Sequence, residues 1–361
     1  MFFNILSAFT GLDNASDQKL RSTADYEKAI MSFVDMEYDK DYKIYDVDLP
    51  AANGHIHTIE AGFENKEVVV LVHGYAASAV FYFKVIKELK DHFHVYAIDL
   101  FGLGSSARPK LEKFDFEHVV NFFVEPLEEW RKSLKLQNFS LMGHSMGGYL
   151  CAQYYKLKKP PIKMLYLLSP AGFTYKTDEE LQGQLKSGGL RISFFRWGFD
   201  LMHNRKVTPF NFVLFGVRKS VSKYFSGPRL KLTESQASVF TDYFASTMEK
   251  RLSGEKALGV LLHYARYSKK PIANFLAEMD KKKELTVPIK VIYGIKDWMD
   301  SEHSGTINEE LGLDFEMVTM PDCDHQIIYQ NPEGIATLLK NDKARGYDLI
   351  RTDFMAKRKL K

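Results

Sequence analysis

The chain has 361 residues, of which 45% are hydrophobic, 14% aromatic and 26% charged. That composition excludes a disordered tail protein and a collagen-like fibre. Lys+Arg 49 against Asp+Glu 46 leaves a net charge of +3, too even a balance for a nucleic-acid protein. Two cysteines, Cys151 and Cys323, cannot build a disulfide framework; they suit a reducing compartment, a single bridge being the alternative.

At the N-terminus, Phe2, Ile5, Leu6, Phe9 and Leu12 fall at helical spacing. They predict either a helix packed on its own domain or an interfacial anchor. The apolar start is short, with no basic lead and no small-residue cleavage site, which argues against a secretory signal. Arg21 is the first arginine and follows Asp13 and Asp17, which argues against a mitochondrial presequence. The expected location is intracellular, cytoplasmic or peripheral to a membrane, with mitochondria left open. No apolar run reaches the roughly 20 residues of a membrane-spanning helix.

Segments 43–48 and 55–61 read as a strand pair joined by Ala51-Ala52-Asn53-Gly54. The run 67–72 is continuously apolar after Glu67, as central parallel strands are. Runs of the same kind recur at 94–98, 139–142, 164–168 and 289–293, and a last strand at 315–320. Helical patterns lie between them at 79–90, 116–134, 147–158, 302–311 and 332–342. Strands alternating with helices predict an α/β fold with a mostly parallel sheet covered on both faces. The alternation breaks over 174–270, which reads as an inserted, mainly helical cap. The division is a 1–42 N-terminal helical segment, a core in two parts (43–173 and 271–361) and the 174–270 cap.

The cap carries 17 Lys+Arg and 8 Asp+Glu, an excess of nine basic residues. Phe194, Phe195, Trp197, Phe199, Phe210, Phe212, Phe215, Phe225, Phe240 and Phe244 are interleaved with them. Such a mixture suits an apolar ligand with an anionic head, or an anionic membrane surface. The alternative is a cap with its own aromatic core and a solvated basic face. The terminal Lys357-Arg358-Lys359-Leu360-Lys361 reads as a solvated tail.

The strongest chemical signal is Gly143-His144-Ser145-Met146-Gly147-Gly148, set between the run 139–142 and a helical pattern. This is G-x-S-x-G in its strand–turn–helix context, a sharp turn that presents a serine hydroxyl. The following helix points its N-terminus at the site and favours developing negative charge. Ser145 is the candidate nucleophile. His73-Gly74-Tyr75-Ala76 follows the run 67–72, and the oxyanion donors are assigned to the backbone N–H groups of Tyr75 and Met146. His73 reads as a loop-shaping residue. Gly102-Leu103-Gly104 lacks a third glycine and a Walker lysine, so it reads as a structural turn.

A serine hydroxyl needs a base, and the base an orienter, in the chain order serine, acid, histidine. Asp297, three residues beyond Gly294, is the candidate acid, with Asp300 its competitor. His325, after the last strand, is the candidate base. His55/His57 and His92/His94 could each share a strand face like metal ligands. No carboxylate or thiolate cluster accompanies them in sequence, so no metal is expected. No organic cofactor is expected either.

These residues resemble the α/β-hydrolase superfamily over essentially the whole chain, and more closely the subfamily of α/β-hydrolase domain proteins 4 and 5. The closer resemblance is carried by the helix near Ala24–Val34, Asn53–Thr58, Asp99–Pro109, Phe123–Trp130, Gly143–Gly148, Ser169–Phe173 and Tyr293-Gly294 through Trp298 and Asp300. The subfamily includes an N-acyl phospholipid lysophospholipase, a lipid-droplet co-activator of triglyceride lipase and fungal cardiolipin deacylases. The resemblance implies a serine hydrolase acting on fatty-acyl esters of phospholipids or lysophospholipids. The co-activator carries asparagine where Ser145 stands here, so an active enzyme is implied. The subfamily also shows a histidine followed five residues later by an aspartate, a pattern linked to acyl transfer onto lysophospholipids. Here Gln330 stands at that position and cannot hold a negative charge, which weighs against transfer. The alternatives are a lysophospholipid acyltransferase and a non-catalytic lipid-binding or scaffold protein. An epoxide hydrolase would need a carboxylate in place of Ser145. The expected partner is a lipid ester, with peripheral membrane contact through the cap and N-terminus and no nucleic acid.

Overall fold

A computed structural model describes residues 22–174, 217–227, 229–248, 252–262, 266–268, 270–299 and 301–359, together with Lys250. Tyr42–Leu49 (β1) and Gly54–Ala61 (β2) form the expected antiparallel pair, with Leu49 opposite Gly54. Asn53 between them takes φ +49°, a left-handed conformation that asparagine tolerates. Six further strands follow: Val68–Val72 (β3), His94–Ile98 (β4), Phe139–His144 (β5), Ile162–Leu168 (β6), Ile289–Gly294 (β7) and Glu316–Met320 (β8). The sheet order is β1-β2-β4-β3-β5-β6-β7-β8, and every pair from β4 onward is parallel.

The chain leaves β3 for β4 on one side and returns to β5 on the other. The crevice beyond the carboxyl ends of β3 and β5 is therefore a topological switch point, where open α/β sheets bind ligands. The apolar run in β3 is continuous because both its faces are covered. Val70 and Val72 pack with Trp130, Tyr149 and Leu150, and Val69 and Leu71 pack with Ile86, Leu89, Ile335 and Leu339. Alternate side chains thus supply two cores.

The helices α1 (Thr23–Ser32), α2 (Phe83–Leu89), α3 (Phe116–Ser133) and α4 (Met146–Lys158) precede the cap. Val119, Val120, Phe123, Val124, Leu127 and Trp130 make one buried stripe on α3, and the Trp130 indole N–H donates to Thr58 Oγ1 at 3.0 Å. Asp115 caps this helix, accepting from the His118 N–H at 2.8 Å.

Within 174–270, the segment read as a cap, α5 (Val217–Phe225) and α6 (Glu234–Met248) are described. Phe225, Phe240 and Phe244 are buried, and the rings of Phe225 and Phe240 lie 5.9 and 5.5 Å from Phe81 of the core. Phe225 and Phe240 thus pack on Phe81 as well as on each other, rather than only within their own segment. Phe194, Phe195, Trp197, Phe199, Phe210, Phe212 and Phe215 lie outside the described residues, as does the N-terminal stretch 1–21.

After the cap come α7 (Ile272–Lys281), α8 (Ser301–Leu311), α9 (Pro332–Arg345) and α10 (Tyr347–Lys359). Residues 357–359, read as part of a tail, are helical, and of them Arg358 is held while Lys357 stays exposed. They end α10, which is anchored by buried Ile350 and Phe354 one turn apart. The Arg358 guanidinium donates to the Leu285 carbonyl and pairs with Asp280. Among the described residues no helix is long and apolar enough to cross a membrane.

Candidate active site

Ser145 sits between β5 and α4 with φ 55° and ψ −121°. A non-glycine residue held there stores on the order of 1–3 kcal/mol of backbone strain. Backbone bonds fix it: the Ser145 N–H donates to the Leu168 carbonyl at 2.9 Å, and the Ala171 N–H donates to the Ser145 carbonyl at 3.1 Å. The flanking glycines are sterically required. A Cβ on Gly143 would stand 2.5 Å from the Gly147 carbonyl oxygen, and one on Gly147 would stand 2.3 Å from that of His73. The start of α4 thereby packs directly on the end of β3.

The loop after β3 comes equally close. A Cβ on Gly74 would lie 2.9 Å from the Ser145 Cβ, so the chain entering Tyr75 passes beside the nucleophile. His73 shapes this loop as expected. Its Nδ1–H donates to the Gly74 carbonyl at 2.7 Å, and its Nε2 accepts from the Leu100 N–H at 3.0 Å. Burial lowers its pKa and keeps the ring neutral. The glycine turn at 102–104 is also structural. It wraps the Asp99 carboxylate, which accepts from the Ala79 and Ser105 N–H groups, each at 2.6 Å.

Asp297 and His325 meet because β7 and β8 are parallel neighbours that end at the same edge. The Ile295 N–H donates to the Met320 carbonyl at 3.0 Å and the Lys296 N–H to the Cys323 carbonyl at 2.8 Å, joining the two loops. His325 Nδ1–H donates to Asp297 Oδ1 at 3.2 Å, and the Ser145 hydroxyl lies 3.0 Å from His325 Nε2. Serine, histidine and aspartate thus form one hydrogen-bonded line. Burial works against the charge on Asp297. The His325 imidazole, the Ser169 hydroxyl and the Met299 N–H outweigh it and lower the carboxyl pKa. Asp300, the competing acid, lies outside the described residues.

Three neighbours of this line were given no role in the sequence analysis, and a fourth, Gln330, entered it only for the charge it lacks. The His144 Nε2–H donates to the His325 carbonyl at 2.7 Å. The Trp298 ring lies 5.0 Å from the His325 ring. Ser169, at φ +44°, stands by Asp297. Gln330 Oε1 accepts from the Asp324 N–H at 2.7 Å. Only His144 had a visible signal, its place inside the G-x-S-x-G motif.

The expectation that no carboxylates accompany His55/His57 is corrected. His57 Nδ1–H donates to Asp46 at 2.7 Å and Nε2–H to Glu27 at 2.9 Å. These partners come from β1 and α1, and Tyr243 of α6 also donates to Glu27, at 3.1 Å. The arrangement joins three parts of the fold by an imidazolium between two carboxylates. Among the described residues no group of three or more His, Cys, Asp or Glu side chains is placed to hold a metal ion. Cys151 and Cys323 are both buried free thiols.

A model of the alpha/beta hydrolase fold family matches residues 67–332. Two curated plant proteins are similar at the sequence level. One is a rice (Oryza sativa subsp. japonica) protein named probable 1-acylglycerol-3-phosphate O-acyltransferase, 31% identical over 75% of this chain and 66% of its own length. The other is the Arabidopsis thaliana 1-acylglycerol-3-phosphate O-acyltransferase, 31% identical over 78% of this chain and 67% of its own. The chain thus spans about two thirds of the length of these relatives. Among solved structures, a bacterial membrane phospholipase A superposes with a TM-score of 0.62 at 19% identity, covering 96% of this chain and 97% of that one. At that identity the likeness shows the fold alone.

Proposed function

Since the chain belongs to the α/β-hydrolase fold family, we propose that it is a serine enzyme of lipid metabolism that forms an acyl-enzyme at Ser145 from a fatty-acyl ester of a phospholipid or lysophospholipid. The observation that carries this reading is the 3.0 Å contact between the Ser145 hydroxyl and His325 Nε2, with Asp297 behind the ring. His325 takes the serine proton as Oγ attacks the carbonyl carbon. The N–H groups of Tyr75 and Met146 hold the oxyanion, each contributing about 3–4 kcal/mol. Asp297 fixes the tautomer and stabilises the imidazolium, which then protonates the leaving alcohol. No metal or organic cofactor enters these steps. Peripheral contact with the membrane, through the cap and N-terminus, belongs to the same proposal.

The acyl group then leaves on water, as in a hydrolase, or on the hydroxyl of a lysophospholipid. The plant relatives, named for transfer onto 1-acylglycerol-3-phosphate, favour the second acceptor. Gln330 does not oppose it, since its side chain is engaged with the Asp324 backbone and no charge at that position enters the steps above.

The experiment supplies a phospholipid with a labelled acyl chain, with and without 1-acylglycerol-3-phosphate, and resolves the products. Labelled diacyl product with the acceptor present, and labelled free fatty acid without it, is the expected result. Free fatty acid alone under both conditions would leave only the hydrolase reading. Turnover by Ser145→Ala equal to the wild type would overturn the acyl-enzyme.

A further inference from the structure

The mechanism leaves open what decides between water and an alcohol at the acyl-enzyme. The departing alcohol receives its proton from His325 Nε2, and the incoming acceptor gives its proton to the same atom. By microscopic reversibility the two occupy the same side of the ester, against the imidazole. The side chains that flank the His325 ring therefore flank the acceptor.

Two rings flank it. His144 lies 4.9 Å away, between centroids, and is 5% exposed, so it faces the interior. Trp298 lies 5.0 Å away, inclined at 57°, and is 45% exposed. Ile295, on the same loop, is 63% exposed. The loop after β7 thus carries the acid Asp297 inward and two large apolar side chains outward, and one of these touches the base. An indole left half in water beside the proton-transfer atom loses hydrated apolar surface when a carbon skeleton covers it. Water as acceptor covers nothing.

Building on the acyl-enzyme reading, we propose that Trp298 is an acceptor-side specificity residue. Its indole seats the carbon skeleton of an acceptor alcohol, the glycerol and proximal alkyl part of a lysolipid, and so biases the acyl-enzyme toward transfer. In the step concerned, the acceptor O–H loses its proton to His325 Nε2 and its oxygen bonds to the acyl carbon. The bond from that carbon to Ser145 Oγ then breaks, and the proton passes from His325 to Oγ.

The test uses the whole protein with p-nitrophenyl butyrate as acyl donor and n-butanol or methanol as acceptor. The p-nitrophenol burst reports acylation, and the ratio of butyrate ester to butyric acid reports partition. In Trp298→Ala the ester-to-acid ratio with n-butanol should fall by on the order of tenfold and with methanol by less than about twofold; the burst slows as well, because p-nitrophenol leaves from the same side, but acylation does not enter the ratio. Trp298→Phe, which keeps an aromatic face, should stay near the wild type in all three. An unchanged n-butanol ratio in Trp298→Ala would overturn the proposal. So would an equal fall in burst, ester and acid, which would make Trp298 a support for His325 alone. Release of p-nitrophenol by Ser145→Ala equal to the wild type would instead remove the acyl-enzyme reading, and this proposal with it. Thermal melting checks that the variants are folded, and Trp298→Gln replaces the alanine variant if that one is not.

Discussion

The imidazole of His144 donates from Nε2 to the backbone carbonyl of His325 at 2.7 Å, so the residue before Ser145 holds the main chain of the proposed base. The bond requires a neutral Nε2–H tautomer or an imidazolium. Burial, and after it the proximity of His325, pulls the His144 pKa from 6.5 down to about 3, so the ring is neutral across the working range. A neutral ring does not repel the imidazolium that forms on His325 during the reaction.

His144→Leu should therefore lower kcat by about tenfold, the loss of one buried hydrogen bond, with little change in KM. His144→Gln keeps a donor and should recover part of the loss. Stability gives a second readout. The unfolded chain binds a proton at His144 below pH 6.5 and the folded chain binds none until about pH 3. This group alone then makes stability fall by about 1.4 kcal/mol per unit as pH drops through that window. Urea unfolding from pH 7 to pH 4 should show a shallower decline in His144→Gln than in the wild type.

His57 has the opposite sign. Burial by itself would pull its pKa down, but Glu27 and Asp46 outweigh burial and raise it well above 6.5. Its contribution is complete below pH 6.5 and is lost as pH climbs through the raised folded-state value. The wild type should lose stability on the alkaline side by more than His57→Gln does. Urea midpoints compared at pH 6 and pH 10 check this, and parallel declines in the two proteins would contradict it.

Gln330 holds the loop of the base from below, accepting from the Asp324 N–H at 2.7 Å. Gln330→Glu retains an acceptor oxygen and should keep kcat within about threefold. Gln330→Leu leaves the amide unpaired and should lower kcat by about tenfold. Steady-state kinetics on a soluble ester separates the two, and transfer and hydrolysis should fall together because the loop serves both.

The elbow admits no side chain beside the serine. A methyl group on Gly143 would meet the Gly147 carbonyl at 2.5 Å and the Cys151 thiol at 2.7 Å. Gly143→Ala should cost about 3 kcal/mol or more in urea unfolding, since β5 or α4 must shift to admit it.

Much of this architecture is legible in the residues. The apolar runs at 67–72, 94–98 and 289–293 announce central strands because burial on both faces removes alternation. Ser145 and His325 are legible because the nucleophile's turn demands glycines and the base follows the last strand. What escapes has a common physical cause. Helix α10 buries Ile350 and Phe354 under many charges, so its basic end looks like a tail. The contacts of His57 with Glu27, of His144 with the His325 carbonyl and of Trp298 with the His325 ring join residues 30, 181 and 27 positions apart. No local pattern encodes such pairs; the sheet order creates them. Gln330 is read only for the charge it lacks, whereas the fold uses its amide oxygen, which accepts from the Asp324 N–H.

The central claim is that the Ser145 oxygen is the nucleophile and His325 its base. The direct measurement is intact-protein and peptide mass spectrometry after exposure to a fluorophosphonate. One adduct is expected, on the peptide bearing Ser145, absent in Ser145→Ala and slowed by a factor on the order of a thousand in His325→Ala. An adduct that persists in Ser145→Ala, or a wild-type protein that turns over esters yet never reacts with the probe, would contradict it.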